Sequence, residues 1–326
     1  MELSRTINSD KRYYLDENTI ENAASFLQTM RVFNDAKIDL YNALYDQKYL
    51  ASGSLIDHAY PVFLKEKYKT NDYYNAAVYS AASGSISSQK ELKKYYSTTI
   101  TADLKTRDEK IQMIQEALDK KKAVKNSIRI YRKDGRWITP YPRCQLKVKG
   151  LMIVLFNKTI VKLDEYERSV ETDIRKLKTR LALVTEARKR KEKKLENIKN
   201  LPPERIVFGG KKLYSEKDTV GITKSAEDNK TSQKALKEWK QDFFEKRHQS
   251  MALPGRHTSK YGNFLCKYDG KDLSVTCIDG TTTVFHDFKL PRYNEAFQNN
   301  FTCKPDDRQS ICYNFTVKRD RKNRQY

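Results

Sequence analysis

Apolar residues recur at three- and four-residue intervals from Thr19 to about Leu50, at Ile20, Ala23, Leu27, Met30, Tyr41, Leu44 and Tyr45. That spacing predicts one helix or two, with Asn18 or Thr19 as the N-cap. Tyr60-Pro61 punctuates the chain, and "VFLKEKYKTNDYYNAAVYSAAS" continues in helical style. Ser83 to Ser88, "SGSISS", has the composition of a loop, and helical periodicity resumes from about Gln89 to Lys122. The first third of the chain is therefore expected to be helical.

The period changes at Asn126. "SIRIYRKDGRWITP" sets two alternating runs around Asp134-Gly135, a dipeptide that supplies positive φ in tight hairpins. In "CQLKVKGLMIVLF", Leu146 and Val148 alternate with Lys147 and Lys149, and Leu151 to Phe156 suits a buried strand. From Lys162 to Lys199 there is neither Gly nor Pro, and Leu163, Tyr166, Val170, Ile174, Leu177, Leu181 and Val184 form one stripe. As a single helix the segment would reach roughly 55 Å. Past Val184 the stripe fades into "TEARKRKEKKLENIKN", and Pro202-Pro203 ends it. Lys217 to Gln233 is polar and irregular, a predicted loop, followed by a short helix around Lys234 to His248. Beyond Pro254 three alternating runs joined by Asp269-Gly270 and Asp279-Gly280 predict antiparallel strands, and "SICYNFTVK" predicts another. The sum is an α+β protein of three regions: helical residues 1–125, strands with a long basic helix over 126–216, and a loop, short helix and antiparallel β domain over 217–326.

Composition changes the picture through charge. The 326 residues hold 64 Lys and Arg against 42 Asp and Glu, a net charge of +22. Basic surplus on this scale attracts polyanions by counterion release, which makes nucleic acid the first partner to consider. No apolar run approaches the ~20 residues a spanning helix needs, and Met1 to Asp10 has no apolar core of a secretory signal, so the expected location is the cytoplasm. Five cysteines (Cys144, Cys266, Cys277, Cys303, Cys312) sit at wide spacings without a CxxC pair, which points away from a disulfide framework and from a zinc ribbon.

The surplus is local. Between Arg175 and Lys217 there are 15 Lys or Arg against 5 Glu. Its candidate phosphate contacts are Arg188, Lys189, Arg190, Lys191 and Arg205, although pairs with Glu192 and Glu196 also fit a solvated helix face. Gly209-Gly210-Lys211-Lys212 follows the run Ile206 to Phe208, which reads as a strand closed by a Gly-Gly turn. A Walker loop would need Gly at position 205 and Ser or Thr at 212, where the chain has Arg205 and Lys212. A backbone contact to phosphate remains open there, beside a plain turn. Asp279 invites comparison with the metal-binding Asp of nucleases, but its place between two alternating runs favours a hairpin turn, and no second carboxylate accompanies it on a later strand. His58, His248, His257 and His286 are scattered, without metal-ligand spacing. No catalytic residue, metal site or cofactor is indicated. Tyr131, Trp137, Trp239, Phe243, Phe244 and Tyr261 lie beside basic groups, where either base stacking or core packing fits.

"LPPERIVFGGKKLY", then "EWKQDFFEKRHQSMALPGR" and "KYGNFLCKYDGKDLSV", resemble the segment that precedes the nuclease domain in TnpB-type proteins, transposon-encoded RNA-guided DNA nucleases related to type V CRISPR effectors. "RVFNDAKIDLYNALYDQKYL" and "LKEKYKTNDYYNAAVYSAA" resemble that family's helical region. The resemblance implies a helical lobe against the guide-target heteroduplex, a β-barrel wedge domain that grips guide RNA, and partners that are guide RNA and target DNA. It also implies a RuvC nuclease domain with a zinc ribbon, whose motifs do not occur before Tyr326, so no catalytic residue carries over. Gly209, Gly210, Lys211 and Lys212 carry over as positions near nucleic acid. A decayed remnant, half of a split nuclease working with a RuvC-bearing chain, and a guide-dependent binder that does not cut all fit. The competing class is a structural protein in which the helix from 162 to 199 forms a basic coiled coil.

Overall fold

The computed structural model describes residues 19–50, 59–155, 157–220, 226–288, 300, 302–304 and 308–317. In chain order these form strand β1 (Ile20–Glu21), helix α1 (Ala23–Tyr45) continued by a π-helical turn (Asp46–Leu50), α2 (Tyr60–Tyr68), α3 (Asp72–Asp134), strands β2 (Lys147–Lys149), β3 (Met152–Val154) and β4 (Ile160–Lys162), α4 (Leu163–Asn200), α5 (Lys211–Ser215), α6 (Lys217–Val220), α7 (Ala226–Arg247), and strands β5 (Ser250–Leu253), β6 (Cys266–Tyr268), β7 (Leu273–Thr276), β8 (Thr282–Phe285) and β9 (Tyr313–Thr316). The protein is α+β. Its strands pair antiparallel in open sheets ordered β1-β8-β7-β6, β2-β3-β4 and β5-β9. No sheet closes into a barrel among the described residues, since the outer members of each sheet pair with one neighbour alone. Asn18, His58, Phe156 and the basic tail after Lys318 lie outside the described residues.

Two compact units divide the chain: one takes the residues up to Gln89 and from Glu204 onward, the other is Lys90–Pro203. In the first, α1 is the central element. Phe26, Met30, Phe33, Leu40 and Tyr41 are all at most 3% exposed and share a core with Tyr74 and Val78 of α3, Met251 and Leu253 of β5, and Leu273 and Val275 of β7. Phe26 meets Phe285 and Phe315 edge-on, each at 5.1 Å between centroids, which ties α1 to β8 and β9. The two D-G hairpins form as expected, with Gly270 at φ +101° and Gly280 at φ +86°. Asn22, in the left-handed region, holds the N-cap position of α1 in place of the expected residues.

Lys90–Pro203 is a helical hairpin with a small sheet at its closed end. Residue pairs across α3 and α4 run in opposite order: Lys93 Nζ donates to the carbonyls of Lys199 and Leu201, Lys191 meets Asp103 at 3.0 Å, Lys121 meets Asp173 at 2.6 Å, and Lys125 meets Glu171 at 2.7 Å. Leu118, Val124 and Ile128 of α3, Ile153 of β3, and Leu163, Val170 and Ile174 of α4 make its core, with Tyr166, Leu177 and Leu181 packed against it. The predicted stripe of α4 is therefore spent inside the unit.

Several expectations change. Ser83 to Ser88 is helix within α3: the hydroxyls of Ser83 and Ser85 donate back to the carbonyls of Tyr79 and Ala81, while Ala82 and Ile86 are buried. Asn126 to Asp134 is also helix, not a hairpin, because Val124, Ile128 and Tyr131 face the core at helical spacing. Gly135 instead ends α3 at φ +68°, donating its N–H to the Tyr131 carbonyl at 2.9 Å. The run from Leu151 is a buried strand only at Ile153, since Leu151 sits in a turn and is 82% exposed. Ile206 to Phe208 forms no strand: the Ile206 N–H goes to the Tyr41 hydroxyl at 2.9 Å, and Phe208 already lies in the turn that the Gly210 N–H closes on the Val207 carbonyl at 3.0 Å. The expected loop of 217–233 holds α6 and the start of α7, with 221–225 outside the described residues.

Candidate nucleic-acid interface

The charge of the chain is divided unequally between its units. Lys90–Pro203 holds 31 Lys and Arg against 15 Asp and Glu, a surplus of sixteen; the remainder of the chain holds 33 against 27, a surplus of six. About a third of the length thus carries most of the net charge.

Within this unit the seam of α4 outlasts its apolar residues. The three- and four-residue intervals that run through Leu177, Leu181 and Val184 continue through Arg188 and Lys191 to Leu195 and Ile198. Arg188 bonds Asp108 of α3 and reaches Glu192 at 2.9 Å, and Lys191 meets Asp103. Asp108 pushes the Arg188 guanidinium further up, and the hydrogen bond from Lys191 holds Asp103 below the usual carboxylate range. Two of the sequence candidates therefore close the hairpin. The other two face outward: Arg190 is 78% exposed, with Glu186 at 3.3 Å, and Lys189 is exposed without an ion pair among the described residues. Lys176, Lys178, Arg180, Lys193 and Lys194 share that condition. Spread along and around a stiff helix with no internal counter-charge, these cations give it a strongly positive exposed surface that suits phosphates.

Arg205, Gly209, Gly210, Lys211 and Lys212 fall in the other unit. Arg205 pairs with Asp46 and lies 4.9 Å over the Tyr45 ring, so it anchors the returning chain to the end of α1. Gly209, at φ +96°, lies against α7: a Cβ there would come within 2.9 Å of Phe243 Cε2 and Arg247 Cγ. Trp239 stacks on Phe243 at 5.4 Å and donates its indole N–H to the Leu213 carbonyl at 2.6 Å. Packing, rather than open base-stacking space, accounts for these two aromatics. Gly210 faces open space, Lys211 meets Glu204 at 2.6 Å, and Lys212 is exposed and joins no ion pair among the described residues.

One residue is barely signalled in the sequence. Lys37 of α1 puts its ammonium 5.4 Å from the Phe208 ring centroid and 6.0 Å from that of Phe33, and donates to Asn34 Oδ1 at 2.5 Å. Burial lowers its pKa to about 8. Only the four-residue spacing from Phe33 hints at this, and many surface lysines share it.

Asp279 is a turn residue: it accepts from the Thr281 amide at 2.9 Å and from the Ser25 hydroxyl, the first of the bonds that hold it below the usual carboxylate range. The five cysteines are unpaired, and burial pushes the Cys266 thiol up. No three His, Cys, Asp or Glu side chains are placed to hold a metal among the described residues. No described helix is long and apolar enough to cross a membrane. Comparison with protein-family models, with curated proteins and with solved structures finds no match to the chain.

Proposed function

We propose that the chain is a nucleic-acid-binding scaffold that engages a phosphodiester backbone through Lys90–Pro203. The observation that carries this is the surplus of sixteen positive charges in that unit, with exposed cations around α4 that join no ion pair among the described residues. Such a surplus repels itself unless a polyanion neutralises it. Together with the resemblance of the segments around Gly209 to TnpB-type proteins, it favours guide RNA and target DNA as the partners, in the cytoplasm, with target sequence read mainly by base pairing. Any cutting would then fall to a RuvC domain or chain, and this chain would serve as half of a split nuclease, as a decayed remnant or as a binder that does not cut.

The competing proposal, a structural coiled coil, asks the α4 stripe to meet another chain. That stripe already packs on α3 and β3. The two classes separate on purification. Protein isolated at low salt is expected to carry RNA, seen as a raised ratio of absorbance at 260 to 280 nm and as discrete species on a denaturing gel after extraction. Protein that emerges free of nucleic acid and stays so when offered RNA would favour the coiled-coil class.

A further inference from the structure

The sheet at the closed end of the hairpin has two unlike faces. Val148, Ile153 and Val161 align across β2, β3 and β4 and pack into the core of the unit. Side chains alternate along a strand, so the neighbouring rows point the other way. One of these rows is Lys149, Met152 and Lys162; the other is Lys147, Val154 and Ile160. The three lysines are exposed and join no ion pair among the described residues, while Met152 is 37% exposed and Ile160 60%. Leu151 extends the apolar surface at the turn between β2 and β3.

The surroundings hold almost no opposing charge. From Gly135 to Lys162 there is no Asp or Glu against six Lys and Arg. Of the acids that follow, Asp164 and Glu167 are engaged by Arg132, which leaves Glu165 exposed at the start of α4. Lys147 and Lys149 stand about 7 Å apart along one strand, and Lys149 and Lys162 flank Met152 at about 5 Å on either side.

The geometry points to this outward face as a docking surface for a single nucleic-acid strand, the ammonium groups holding phosphates and the aliphatic side chains lying against base faces. This rests on the nucleic-acid function proposed above and names where a strand would sit. A duplex offers phosphate and sugar on its outside and keeps its base faces stacked, so it would leave Met152, Val154 and Ile160 against a charged backbone. An unpaired strand satisfies both halves of the surface.

The test uses the full chain stripped of RNA at high salt, with a labelled single-stranded 15-nucleotide RNA and a duplex of the same sequence, read by fluorescence anisotropy. K147Q/K149Q/K162Q is expected to weaken single-strand binding at least ~tenfold and to flatten its log-log salt slope by about 2. M152S/I160S is expected to weaken single-strand binding roughly threefold to tenfold and to leave duplex binding unchanged. All five positions point outward, so unchanged far-UV circular dichroism and melting should accompany both results. If the wild type binds nucleic acid and both variants match it, the docking surface is overturned while the broader function stands. Failure of the wild type to bind either probe removes both. Loss, in the same variants, of sedimentation with phosphatidylserine vesicles, with RNA affinity intact, would assign the face to a membrane surface and also overturn the proposal.

Discussion

Converting Arg180, Lys189, Lys193 and Lys194 together to Gln is expected to lower affinity for RNA by about two to three orders of magnitude near physiological salt, and to reduce the log-log salt slope by about 3. The expectation follows from exposure without internal pairing: nothing in the folded unit needs these four charges, so their loss falls on the partner. Stability should stay within about 0.5 kcal/mol, as Gln has a helix propensity close to that of Lys and Arg. Arg188 and Lys191 provide the contrast. Reversing them to Glu would set like charges against Asp108 and Asp103 across the hairpin, and the first effect expected is a lower melting temperature of the unit. Titration by anisotropy and thermal melts on both sets of variants separates a binding surface from a structural seam.

The second large effect is one of stability. Asn263, 2% exposed, donates its amide to the carbonyls of Leu253, Pro254 and Ile311 at 3.1, 3.2 and 3.1 Å, and its Oδ1 accepts from the N–H groups of Leu265 and Cys266 at 2.9 and 3.1 Å. One side chain thus joins the end of β5, the approach to β9 and the start of β6. Asn263→Asp keeps the shape but turns a carboxylate oxygen toward three carbonyls. Asn263→Leu leaves backbone donors and acceptors buried without partners, each at a cost of about 1–3 kcal/mol. Either substitution is expected to destabilise the unit by roughly 3 kcal/mol or more, measured by urea unfolding, with the Lys90–Pro203 hairpin affected less because it has its own core.

Local chemistry that has one structural use was legible in the sequence. Asp269-Gly270 and Asp279-Gly280 sit between short alternating runs, and the stripe from Leu163 to Val184 lacks any breaker, so the hairpins and α4 followed directly. Asp134-Gly135 reads as a hairpin turn in the sequence, yet positive φ serves a helix C-terminus equally well, and burial of Ile128 with Ile153 in one core makes it the end of a helix. Ser83 to Ser88 looked like a loop because nothing local shows that Ala82 and Ile86 would be buried.

The site was legible as a region and less so residue by residue. Charge density singled out α4, yet Arg188 and Lys191 resemble their neighbours until Asp108 and Asp103 of α3 are seen to face them. Arg205 pairs with a carboxylate 159 positions away, a separation that no reading of spacing anticipates. The sheet face of Lys147, Lys149 and Lys162 is hidden in the sequence for a related reason: Lys162 reads as the first residue of the long helix, and without β4 it has no row to join.

The most direct measurement is the affinity of the wild-type chain, stripped of RNA, for single-stranded RNA between 50 and 300 mM KCl. Six outward cations on α4, at about 0.7 counterions released per phosphate contact, predict a log-log slope of about −4 or steeper. A slope near zero, or no saturable binding at the lowest salt, would contradict the claim that Lys90–Pro203 binds nucleic acid.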